Sequence, residues 1–80
     1  MPEVFRERGF RFFFYSNEGS PREPLHIHVE KDAVEARFWP VPEVQLAYND
    51  GCDARRLRYL TATIEARRIW IERAWNEHFG

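Results

Sequence analysis

Leu25-His26-Ile27-His28-Val29-Glu30-Lys31-Asp32-Ala33-Val34-Glu35-Ala36-Arg37-Phe38-Trp39 is the stretch on which the fold turns. From Leu25 to Lys31 the residues alternate strictly. Leu25, Ile27 and Val29 point one way, and His26, His28 and Glu30 the other, which is the period of a strand. Asp32-Ala33 reads as a turn, and Val34 to Trp39 as the returning strand. That register sets Ile27 opposite Phe38 and His28 opposite Arg37. It also sets Glu30 opposite Glu35, a mildly unfavourable like-charge pair. Pro40 and Pro42 then end the strand, because proline cannot donate to a ladder.

Working outward, Val4 to Glu7 and Phe10 to Ser16 read as a second hairpin around Arg8-Gly9, where Gly9 accepts the positive φ of a two-residue turn. Glu7 then faces Phe10, and Phe5 faces Phe12. Phe5, Phe10, Phe12 and Phe14 share one face; Arg6, Arg11, Phe13 and Tyr15 share the other. Asn17 to Pro24 is a loop by composition. Glu43 to Tyr48 fits either a short extended segment or one helical turn. Beyond Asp50-Gly51 the period changes. Asp53 is the expected N-cap of a helix running to about His78. Leu57, Leu60, Ile64, Ile71 and Trp75 form its apolar stripe. Arg68 falls inside that stripe. Either its stem lies along the core edge with its head in water, or the helix kinks near Ala66 to Arg68. Tyr59, Thr63, Ala66 and Trp70 form a second stripe on the opposite side, where a solvated helix needs neither Tyr nor Trp. The expectation is a single α+β domain over residues 1–80. About four antiparallel strands, over about 4–40, would pack on one long C-terminal helix, over about 53–78.

Composition narrows the function classes. Twelve cations balance thirteen carboxylates for a formal charge of −1, which argues against holding nucleic acid or membrane by bulk charge. Eleven of the cations are arginine; Lys31 is the one lysine. A single cysteine, Cys52, excludes an internal disulfide and a cysteine-based zinc knuckle. No apolar run approaches a membrane span and no secretory h-region is present, so a reduced cytoplasm is the expected compartment. Eighty residues make a thin core, so a partner chain is expected.

Five groups of residues can be read for chemistry. The second face of the sheet would gather Arg6, Arg11, Tyr15, His26, His28, Arg37 and Trp39. Arginine forks and aromatic rings there could hold an anion or RNA. The same residue types also mark protein interfaces. His26 and His28, two apart on a strand, would project their rings the same way, roughly 6.5–7 Å apart. A shared metal needs a third ligand such as Glu18, Glu23 or Glu30, and structural histidines are commoner; no metal or cofactor is expected. Glu18, Arg22 and Glu23 could serve acid–base chemistry, although such trios are usually surface ion pairs. Cys52 sits at a helix start, where a thiolate is favoured, but has no neighbouring histidine. Arg55, Arg56, Arg58, Arg67, Arg68 and Arg73 scatter around the helix, so they form no single basic stripe.

A resemblance spans nearly the whole chain. It is carried by Phe10-Arg11-Phe12-Phe13-Phe14-Tyr15-Ser16-Asn17-Glu18, then Arg22-Glu23-Pro24 and His26-Ile27-His28-Val29. Glu35-Ala36-Arg37-Phe38-Trp39 follows, and Trp75-Asn76-Glu77-His78-Phe79-Gly80 closes it. These runs resemble the bacterial domain of unknown function family 4160 (DUF4160). The signature positions are Tyr15, Asn17, Glu18, Arg22, His26, His28, Phe38, Trp39 and Trp75. Three departures stand out: Leu25 where a second proline is common, Pro40 where leucine is usual, and Arg67-Arg68 in place of a more acidic or polar pair. The resemblance implies small stand-alone proteins, often encoded beside a member of family 2442 (DUF2442), and a toxin–antitoxin pairing. It assigns no catalytic residue.

Two expectations follow. The first is a binding module acting through a protein partner, such as a DUF2442-like neighbour or a second copy, with Tyr59 and Trp70 in the interface. The alternative is a small RNA-directed enzyme of ribonuclease type. There His26 and His28 would act as acid and base while Arg22 and Arg37 stabilise phosphate charge. Arg6, Arg11, Tyr15, Asn17, Glu18, Arg22, His26, His28, Arg37 and Trp39 are the candidate binding residues in either case.

Overall fold

The computed structural model describes residues 3–15 and 24–79. The described chain forms a five-stranded sheet in the order β1-β2-β3-β4-β5, each strand antiparallel to its neighbour in sequence. The strands are β1 (Glu3–Glu7), β2 (Phe10–Phe13), β3 (Ile27–Lys31), β4 (Val34–Trp39) and β5 (Gln45–Asp50). Two helices follow, α1 (Ala54–Ala66) and α2 (Arg68–Phe79). The α+β class stands, but the count does not: four strands become five and one helix becomes two.

Both hairpin registers follow the hydrophobic pattern. Phe5 pairs with Phe12 and Glu7 with Phe10, while Ile27 pairs with Phe38, His28 with Arg37 and Glu30 with Glu35. Arg8 and Gly9 both take positive φ, 51° and 83°, the twist that a two-residue hairpin needs. A Cβ on Gly9 would lie 3.1 Å from Lys31 Cε, so the tips of the two hairpins touch.

The fifth strand, Gln45–Asp50, overlaps the Glu43 to Tyr48 segment that fits either an extended segment or one helical turn by sequence. Its ladder to β4 is interrupted between Arg37 and Phe38, where Tyr48 and Leu46 are the respective partners and Ala47 is the extra residue. That is a bulge, and it turns Leu46 and Tyr48, two apart in sequence, to opposite faces of the sheet. Asn49 fixes the exit from β5. Its Nδ2 donates to Cys52 O at 3.1 Å, and its Oδ1 accepts from Cys52 N at 3.0 Å.

The core lies between one face of the sheet and the helices. Phe5, Phe10, Phe12, Phe14, Ile27, Val29, Ala36 and Phe38 meet Leu60, Ile64, Ile71 and Trp75 there, all buried. Each fully buried Phe, Leu or Ile contributes about 1.5–3 kcal/mol relative to an exposed one. Asp53 caps α1, its carboxylate accepting from Arg56 N at 2.8 Å. The helical run breaks at Arg67, whose N–H is shared between Thr63 O and Ile64 O. The cause is visible in the spacing. A straight helix would carry Arg68 into the stripe of Ile64 and Ile71, and an unpaired guanidinium cannot be buried cheaply. The break lets Arg68 Nη1 donate to Pro42 O at 3.1 Å, and Ile71 and Trp75 still reach the core.

Candidate functional site

The second face of the sheet is divided into two regions by the register. One row crosses all five strands as Arg6, Arg11, Glu30, Glu35 and Asp50. It runs from two cations at the β1 side to three carboxylates toward β5. Arg6 pairs with Glu3 at 2.6 Å and Arg11 with Glu30 at 3.0 Å. Glu35 and Asp50 have no ion-pair partner among the described residues. The next row is Phe13, His28, Arg37 and Tyr48. Arg11 lies over the Phe13 ring at 4.3 Å, and Arg37 over Tyr48 at 5.7 Å.

The expected open histidine face is a packed aromatic group instead. His26 and His28 are 3% and 4% exposed. The His28 ring lies 5.4 Å from Phe13 and 4.5 Å from Tyr15. His26 lies 5.2 Å from His28, 5.4 Å from Trp39 and 5.6 Å from Trp75 of α2. Its Nδ1 is 2.8 Å from Pro24 O, which orients the ring toward the chain just before β3. Phe13, buried at 1%, is the cross-strand neighbour of His28 and also meets Tyr15 edge-on at 5.3 Å. So the His26 and His28 rings come together at 5.2 Å, enclosed by other rings, with His28 in the second-face row and His26 just before β3. Among the described residues no three His, Cys, Asp or Glu side chains are grouped to hold a metal.

The remaining expected residues fall out as follows. Tyr15 is at the rim of the aromatic group and Trp39 is half-buried beside His26. Arg37 has its Nε buried with no hydrogen-bond partner among the described residues. Asn17, Glu18, Arg22 and Glu23 lie outside the described residues. Tyr59 and Trp70 do not share a solvent-facing stripe opposite the core. Tyr59 packs on Phe10 at 6.0 Å, and Thr63, one turn on, is buried and donates to Tyr59 O at 2.9 Å. Trp70 is half-exposed and stacks on Phe5 at 5.0 Å. Cys52 is buried beneath the helix start, and burial raises its thiol above its ordinary range, with Asp53 acting in the same sense and Arg56 opposing. This favours the neutral thiol over a nucleophile.

Two features go beyond the expectations from sequence, which left Glu43 to Tyr48 open between an extended segment and one helical turn. The first is β5, exposed along all six residues with Leu46 and Tyr48 presented to solvent at 46% and 43%. Its outer edge has no strand beside it among the described residues. The second is a cleft of about 400 Å³ lined by Arg8, Phe10, Lys31, Asp53, Arg55, Arg56 and Tyr59. Strand parity could have found the cleft. In an antiparallel meander the Arg8-Gly9 turn, the Asp32-Ala33 turn and the end of β5 lie at one end of the sheet. The α1 N-terminus that follows β5 joins them there.

Among the described residues no helix is long and apolar enough to cross a membrane. No curated protein and no solved structure matches the chain. The family profile of a domain of unknown function, DUF4160, matches residues 9–76, from the first hairpin tip to α2. The chain therefore belongs to the DUF4160 family of domains of unknown function.

Proposed function

We propose that the protein is a binding module that docks a partner polypeptide along β5, as one component of a two-protein pair of toxin–antitoxin type. The observation that carries this reading is the exposure of β5 on both faces together with an outer edge that no strand pairs with among the described residues. Natural sheet edges are usually blunted by lysine, proline or inward charge. Over Gln45–Asp50 there is no lysine, arginine or proline, and the single charge, Asp50, is at the end. The opposite edge differs: β1 carries Glu3, Arg6 and Glu7, with Glu7 Oε2 3.2 Å from Arg67 Nη2. A partner strand adding to β5 would take main-chain hydrogen bonds for affinity, and Leu46 and Tyr48 would supply side-chain contacts on the two faces.

The partner class implied by the family resemblance is a DUF2442 protein, which makes the test direct. Co-expressed with such a neighbour, the chain is expected to elute as one complex whose light-scattering mass equals the sum of the two. The double variant Leu46→Glu/Tyr48→Ser changes only exposed side chains and should abolish that complex without altering the circular dichroism of the free protein. A wild-type complex no tighter than the variant's overturns the reading. So does a β5-mediated homodimer that leaves the neighbour unbound. The RNA-directed alternative has less support, because an acid–base pair must reach its substrate and both imidazoles are packed among rings.

A further inference from the structure

The cleft at the tip end of the sheet concentrates positive charge that the rest of the molecule balances. Arg8 comes from the β1–β2 turn, Lys31 from the end of β3, and Arg55 and Arg56 from the first turn of α1. None of the four makes an ion pair among the described residues. Asp53 is the one acid in the lining, and its carboxylate is engaged by Arg56 N at 2.8 Å as the helix cap. Four cations against one carboxylate leave the cleft about three charges positive in a chain whose total is −1.

Its walls hold the cations in place. Arg8 lies over the Tyr59 ring at 5.4 Å and Lys31 over the Phe10 ring at 5.0 Å. Lys31 Nζ also donates to Arg8 O at 3.2 Å, which fixes its position and leaves further N–H donors. The Tyr59 hydroxyl is closed off from solvent and has no hydrogen-bond partner among the described residues, a buried polar group that costs stability while unmet.

We propose that this cleft binds a small ligand carrying adjacent phosphate groups, such as a nucleoside di- or triphosphate or pyrophosphate. The volume falls in the range of small-molecule sites, about 300–1,000 Å³. Arginine forks match phosphate oxygens in pairs. The charge is compact, drawn from three elements around one cavity. A single nucleic-acid strand spreads one charge per nucleotide and would call for cations strung along a groove. A di- or triphosphate delivers several charges to one place.

The test uses the intact protein titrated separately with inorganic pyrophosphate and with ATP, followed by amide chemical shifts and calorimetry. Both probes are expected to bind, with shifts centred on residues 8–9, 31 and 53–56. The double variant Arg8→Gln/Arg56→Gln removes both guanidinium charges while keeping a polar end on an aliphatic stem, and should weaken both at least tenfold with unchanged circular dichroism. The inference fails if neither probe binds more tightly than about 1 mM, or if the variant binds as well as the wild type. It also fails if a single-stranded RNA oligonucleotide binds the cleft and excess pyrophosphate does not displace it.

Discussion

At the scale of single residues the chain uses burial to decide chemistry. Cys52 sits at a helix start, which alone would favour a thiolate, yet desolvation prevails and its thiol titrates above its ordinary range. The sign of the consequence follows from linkage. The unfolded chain releases the thiol proton first, so this group's contribution to stability is full below the ordinary thiol range. It is lost as pH rises through the raised, folded value. Iodoacetamide should label native Cys52 more slowly than the same residue in urea. A denaturation midpoint measured on the alkaline side of neutrality should fall with pH in the wild type more than in Cys52→Ala. Equal labelling rates in the native and unfolded chains would overturn this. His26 and His28 follow the same rule of surroundings over residue type, since the rings that enclose them define their setting more than their spacing does.

At the scale of elements, caps and breaks do the placing. Removing the α1 cap with Asp53→Ala should cost about 1 kcal/mol, read as a lower urea midpoint with an unchanged slope. It would also strip the cleft of its one carboxylate, so the same variant should bind pyrophosphate more tightly even as it unfolds more easily. How far the sequence foretold these elements depends on the physics of each. The hairpins of Phe5 with Phe12 and Ile27 with Phe38 were legible because apolar residues at period two must meet across a strand pair. The core stripe of Leu60, Ile64, Ile71 and Trp75 was legible for the same reason at helical period. β5 was legible only as one of two alternatives, because Val44, Leu46 and Tyr48 alternate over too short a run between Pro42 and Gly51, and the bulge at Ala47 turns Leu46 and Tyr48 to opposite faces. The break at Arg67 was legible only as one of two alternatives, since local sequence does not say whether Arg68 has an acceptor; Pro42 O, twenty-six residues away, supplies it. The ring setting of the histidines was not legible, because Tyr15 just after β2, Trp39 of β4 and Trp75 of α2 reach them from distant parts of the chain.

At the scale of the whole molecule, two ring-rich regions share one support. Trp75 touches Phe14 at 5.0 Å and Phe79 at 4.3 Å on the core side, and His26 at 5.6 Å in the aromatic group. Trp75→Ala should therefore cost about 3–5 kcal/mol, against a total that for small domains starts near 5 kcal/mol. The expected outcome is a loss of most cooperative thermal unfolding by circular dichroism. A melting temperature within a few degrees of wild type would show that the two regions stand independently. The charged row across the sheet bears on a different quantity, the rate at which a partner arrives. Arg6 and Arg11 are engaged by Glu3 and Glu30, so the charges left on that face near β5 are Glu35 and Asp50, with Arg37 in the next row over the Tyr48 ring. An approaching strand with a basic residue in register with Asp50 would be drawn in from beyond contact range, and an acidic one turned away. Encounter at this edge should thus slow as ionic strength rises, while the lifetime of the docked strand, held by main-chain hydrogen bonds, changes little.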